Sequence, residues 1–152
     1  MKTAQYVFLL LAGSIILPAA QPGVDIYTVK DLQTTSQALA TGGKPFASRE
    51  LVRYGNHYTM MAMREATGSS EVHDHEADIF VVQNGKATIV TGGKVVNPHT
   101  EKEGEIRGSS ISGGERHELS AGDIIHIPAG VPHQLLIEKG PFDYFVIKVT
   151  GQ

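Results

Sequence analysis

The first apolar feature of the chain is a nearly unbroken run of twelve residues, Tyr6 to Leu17. Lys2 precedes it, and Pro18, Ala19 and Ala20 lead from it into polar sequence. A membrane span needs about 20 apolar residues, so the run is too short to cross a bilayer. It reads instead as a secretory signal peptide over residues 1–20, cut after Ala20 with Pro18 at the −3 position. A core helix or an uncleaved anchor is the alternative. Over residues 28–41 the spacing becomes helical, with Val29, Leu32 and Leu39 on one face. Thr28 with Asp31 forms a capping arrangement, and Gly42 supplies a stop.

After Pro45 the pattern changes to short β-forming runs: 50–54, 58–65, 78–83, 86–90, 116–119, 124–127, 134–137 and 142–149. Asn84-Gly85 predicts a hairpin turn, and Gly92-Gly93 closes the strand that follows. Residues 97–117 are polar, glycine-rich and irregular, with only Glu105 to Arg107 strand-like. An insertion of this kind often covers the mouth of a barrel. Roughly eight or nine strands and one helix predict an all-β closed barrel or double-sheet jelly roll. The chain then divides into the signal peptide (1–20), an N-terminal segment with a short helix (21–47) and a β domain (48–152).

A chain of 152 residues leaves little room for a second core. The formal charge is −3, falling to −4 without Lys2, so no basic surplus exists to offset phosphates and no nucleic-acid partner is expected. There is no cysteine, which removes disulfides, thiolate metal sites and cysteine nucleophiles. Seven histidines then become the place to look for chemistry.

His73-Asp74-His75 is the first constellation. Residues two apart on a strand share a face, so both imidazoles could reach one ion. Glu76 and Asp78 follow closely. The second constellation runs from Gly122 across five residues to Pro128, Ala129 and Gly130, and then to His133. Its turn would place His133 at the start of a strand. In order, Gly68, His73, His75, Asp78 and Gly85, then Gly122, Pro128, Gly130 and His133, resemble the two motifs of the cupin superfamily over roughly residues 48–150. Ile137 stands where that family closes its second motif with asparagine. The resemblance implies a cupin-type jelly-roll β-barrel holding one divalent metal, commonly iron, manganese, nickel, zinc or copper. It implies His73, His75, Asp78 and His133 as the ligands.

The family's carboxylate is usually a glutamate placed further from the second histidine. Counting back six residues from Gly85 lands on Asp78, and alternation puts Asp78, Phe80 and Val82 on one apolar face. Asp78 is three residues from His75, so a bulge or tight turn near Ala77 is required. Buried there, its charge would need a cation to offset it. Glu76 is the rival ligand and is otherwise expected to be solvated. A site of three histidines without a carboxylate is the remaining alternative.

His126, on the strand 124–127, could face the barrel as an acid–base group or sit at the surface. Arg107 could anchor an anionic group of a substrate or be a solvated arginine. His57, His99 and His117 read as exposed, and Met60, Met61 and Met63 as packing residues and not a copper(I) site. Three or four protein ligands leave open positions on the metal for water, oxygen or a chelating substrate. The leading expectation is a metal-dependent enzyme acting on a small molecule, of dioxygenase, isomerase or lyase type, with dioxygenase chemistry favoured for iron(II). A non-catalytic small-molecule or sugar-binding module and a metal-free structural barrel are the alternatives. The protein is expected to be periplasmic or secreted, without a membrane span after processing, and to form a homodimer across which the 28–41 helix could pack.

Overall fold

A computed structural model describes residues 23–151, so the expected signal peptide lies outside the described residues. The helix α1 spans Val29–Ala40. The Thr28 side chain accepts the Asp31 amide at 3.2 Å, and the Asp31 carboxylate accepts the Thr28 amide at 3.1 Å, closing a reciprocal cap. Leu32 and Ser36, one turn apart, are the buried positions of α1, whereas Val29 is exposed. The apolar stripe is therefore narrower than its spacing predicts.

Among the described residues thirteen strands follow: β1 Phe46–Arg53, β2 His57–Arg64, β3 Ser70–His73, β4 Glu76–Asn84, β5 Lys86–Thr91, β6 Lys94–Val96, β7 His99–Lys102, β8 Glu105–Gly108, β9 Ser110–Ser112, β10 Glu115–Ser120, β11 Ile124–Ile127, β12 His133–Leu136 and β13 Phe142–Thr150. One sheet has the order β1-β2-β13-β4-β11, and the second has the order β10-β5-β12-β3-β8-β7. Every pairing is antiparallel. Ala62, Phe80, Val82, Tyr144 and Val146 of the first sheet cluster with Ala87, Ile89, Leu119 and Leu135 of the second. This is the double-sheet jelly roll that the strand pattern predicts.

Asn84-Gly85 does not close a hairpin. β4 and β5 belong to different sheets, and Gly85 is the corner between them. Its φ is +83°, and a Cβ there would collide with the Pro141 carbonyl. β10 pairs with β5 and β11 with β4, so this two-stranded ribbon passes from one sheet to the other as a unit. The segment 97–117 is also more regular than its composition suggests. It builds β7, β8, β9 and the start of β10, and β8 lies directly beside β3. Its polarity reflects an exposed edge, since all four residues of β7 face solvent. Met61 and Met63 are fully buried on the face of β2 that α1 covers, as packing residues. Among the described residues no helix is long and apolar enough to cross a membrane.

Candidate metal centre

The two strands that carry the first motif are separate. β3 ends at His73, Asp74 and His75 turn the chain, and β4 begins at Glu76. The turn is held by the Asp74 amide on the Gly104 carbonyl (2.8 Å) and the Gly151 amide on the His75 carbonyl (3.1 Å). His75 is consequently exposed and is not brought to the other candidate ligands. Same-face alternation requires an unbroken strand, and it runs from His73 back to Glu71 instead. The turn at 74–75 also removes the need for a bulge at Ala77. Alternation restarts at Glu76, so Glu76, Asp78, Phe80 and Val82 share a face, with Asp78 only 2% exposed. Glu76 is thus neither fully solvated nor turned away from Asp78. It sits half-buried in the same cavity and accepts a hydrogen bond from the Tyr58 hydroxyl at 3.1 Å.

The second motif meets the first through its turn. Gly130, at φ +77°, donates its amide to the His73 carbonyl at 2.8 Å, which seats His133 opposite β3. His133 Nδ1 lies 3.1 Å from the Val131 carbonyl oxygen. That contact places the proton on Nδ1 and leaves the Nε2 lone pair facing the cavity. His133 Nε2 is 3.5 Å from Asp78 Oδ2, and His73 Nε2 is 3.6 Å from the same oxygen and 3.5 Å from Glu71 Oε2. Both Nε2 atoms are buried and have no hydrogen-bond partner. Ligand atoms of Glu71, His73 and His133 all lie within 4.8 Å of one another. Donors that share one ion at about 2.0–2.2 Å sit roughly 3.0–3.6 Å apart, so this nitrogen and carboxylate set fits a divalent ion.

A shell of cations holds the carboxylates. Glu71 receives Arg64 at 2.9 Å and Arg107 at 2.6 Å. Arg64 also donates to the Tyr144 hydroxyl at 2.9 Å and stacks over Phe46. Gly68 leaves room here, because a Cβ would displace the Arg64 guanidinium from its present place. Asp78 Oδ1 is 2.6 Å from the Lys148 ammonium. Arg107 also pairs with Glu105, which receives Lys102 at 3.1 Å. Burial alone would raise the Glu71 carboxyl. The adjacent His73 ring and the charges of Arg107 and Arg64 outweigh it and hold the group far below the usual carboxylate range. Burial pushes His133 down, against Glu71 and Asp78, which favours the neutral imidazole that a metal requires. Burial, and then Glu76, push the Tyr58 phenol up.

These groups line a cavity of about 190 Å³ walled by Phe80, Leu135, Tyr144 and Val146. His126 is outside it. On β11 the inward positions are Ile125 and Ile127, so His126 faces solvent on the outer side of the sheet. Arg107 does line the cavity, but its guanidinium is engaged by two carboxylates. His99 and His117 are exposed, and His57 stacks on Tyr54 with ring centroids 4.4 Å apart. Glu71 and Lys148 are the residues that sequence reasoning missed. Period-2 spacing read backwards from His73 finds Glu71. Lys148 is the one charged residue in phase with the buried Tyr144 and Val146 of β13.

No protein-family model matches the sequence, and no curated protein matches it. Solved structures do. BH2720 from Bacillus halodurans aligns over 86% of both chains at 16% identity and a TM-score of 0.55. The cupin domain of Cnp3 from Schizosaccharomyces pombe aligns over 70% of this chain and 62% of its own, at 9% identity and a TM-score of 0.52. The DMSP lyase DddQ from Ruegeria pomeroyi aligns over 72% of this chain and 49% of its own, at 19% identity and a TM-score of 0.50. At these identities the likeness is one of fold. The described residues have the fold of a cupin-type jelly roll, with one helix among them.

Proposed function

We propose that this protein is a metal-dependent enzyme that moves protons on a small molecule, in the manner of an isomerase or lyase. The observation that carries the reading is the convergence of two buried, unpartnered imidazole nitrogens, His73 Nε2 and His133 Nε2, with the carboxylates of Asp78 and Glu71. These four residues would hold the ion. When bound, the metal supplies Lewis acidity that polarises a substrate oxygen. Lys148 fixes one oxygen of Asp78 and leaves the other facing the imidazoles. Arg64 and Arg107 do the same for Glu71.

Proton transfer is favoured over dioxygen chemistry by the Glu76–Tyr58 pair inside the same cavity. Glu76 can take a proton at its carboxylate while the Tyr58 hydroxyl steadies it. DddQ, a neighbour in fold, is itself a lyase by name. The signal-peptide reading of residues 1–20 adds that this chemistry takes place in the periplasm or outside the cell. An intact mass starting after Ala20 would support export, and a full-length cytoplasmic mass would remove it.

The test begins with metal content of the protein purified without a histidine tag. One divalent ion per chain is expected, lost in His133→Ala. Metal-loaded protein is then incubated with small carboxylic and hydroxy acids in deuterated water. Deuterium entering at carbon, abolished by Glu76→Gln, supports an enzyme. Tight binding of such a compound without exchange or turnover would make the protein a binding module instead.

A further inference from the structure

The charges that line the cavity already neutralise one another. Glu71 is paired with Arg64 and Arg107, and Glu105 with Arg107 and Lys102. Asp78 is paired with Lys148, whose ammonium also lies 3.9 Å from Glu76. The cavity thus holds four carboxylates and four side-chain cations. Imidazoles bound to a metal are neutral, so a divalent ion adds two positive charges that no side chain of the described cavity balances. Phe80, Leu135, Tyr144 and Val146 are the apolar part of the wall. An uncompensated double charge in such surroundings is costly.

No acid in the cavity is left over to offset the ion. Equally, no cation is left over to hold an anion at a distance from it, because Arg107 and Lys148 are each committed to carboxylates. The compensating charge must therefore come from the ligand and must sit on the ion itself. The space is about 190 Å³. That is below the roughly 300 Å³ at which pockets for drug-sized molecules begin. We infer that the metal-loaded cavity selects a small dianion of dicarboxylate type, bound through the metal, over neutral sugars or alcohols. This inference rests on the metal-centre reading and specifies its ligand. Lys148 becomes a specificity-determining residue, because it competes with the metal for Asp78 while adding to the charge that attracts the anion.

Malonate and its neutral counterpart malonamide are the probes, added in excess to zinc-loaded and metal-free protein whose metal content has been measured. Malonate should raise the melting temperature of the zinc-loaded protein by several degrees and leave the metal-free protein unmoved. Malonamide should shift neither protein. Lys148→Met should tighten zinc and weaken malonate by about tenfold, two changes of opposite sign. Misfolding would instead weaken both. If wild-type protein takes up no metal, the metal-centre reading falls and this inference with it. If metal binds but malonamide equals malonate, or malonate acts without metal, the dianion inference alone is overturned. Parallel loss of zinc and malonate in a Lys148→Met protein that still melts as cooperatively as wild type overturns the charge argument.

Discussion

His133 presents Nε2 to Asp78 Oδ2 at 3.5 Å, longer than a hydrogen bond and close to the separation of two ligands on one ion. His73 Nε2 stands 3.6 Å from the same oxygen. Two buried imidazole nitrogens without hydrogen-bond partners thus stand around one carboxylate oxygen. A cation relieves that arrangement.

Removal of either nitrogen should therefore empty the site. His73→Ala and His133→Ala are expected to lose the bound ion, read as metal per chain after dialysis. His75→Ala is expected to keep it, since His75 stands in the β3–β4 turn, exposed. Loss in His75→Ala with retention in His73→Ala would mean that the turn refolds around the metal and that the ligand set above is mistaken.

The two carboxylates of β4 should part company. Asp78→Asn should bind metal more weakly. It should also destabilise the metal-free protein by about 3 kcal/mol, because it leaves Lys148 buried without the partner now 2.6 Å away. Metal-free wild type is accordingly not burdened by a stranded Asp78 charge, as a reading without Lys148 would expect. Glu76→Gln should keep the metal. Chemical denaturation with and without metal measures both quantities, and an Asp78→Asn protein as stable as wild type would contradict the pairing.

Glu71 makes stability depend on acid. Its carboxyl in the folded protein is held well below the ordinary value of 4.5, against burial, by the adjacent His73 ring and the Arg107 and Arg64 charges. A depressed carboxyl contributes stability above its unfolded value and loses that contribution as pH falls below about 4.5. Glu105, also depressed, adds in the same direction. Metal-free protein should lose stability steeply below that pH. Glu71→Gln should be less stable at pH 7 yet show a shallower acid limb in pH-dependent melts. An unchanged slope would argue that Glu71 is not held as the geometry describes.

Gly85→Ala tests the corner between the sheets. A residue with Cβ is strained at φ +83°, and its methyl would meet the Pro141 carbonyl. A loss of more than about 2 kcal/mol is expected, combining the left-handed backbone cost with the clash. An Asn-Gly hairpin turn would share the left-handed cost of about 1–2 kcal/mol but not the collision, so a urea midpoint loss beyond that range separates the two descriptions.

Much of this protein is written locally. Thr28 and Asp31 specify the start of α1 because a cap needs only neighbours three residues apart. Alternation places Asp78, Phe80 and Val82 inward, and the glycine and proline spacing before His133 sets the turn that delivers it. Other features depend on partners far away in the chain. Asn84-Gly85 has hairpin chemistry, yet the pairing of β4 with β11 and β5 with β10 draws its flanking strands into different sheets. The His73-Asp74-His75 spacing looks like a metal pair, but the Gly104 and Gly151 contacts end the strand at His73. That break moves the same-face partner of His73 from His75 to Glu71, and only the β3–β8 pairing brings Arg107 beside it. Lys148 reaches Asp78 across the β13–β4 register, from the far end of the chain. Short-range spacing determined which residues could face inward. Where strands stop and which strands become neighbours decided which of them meet, because both depend on hydrogen bonds that form only when the sheets assemble.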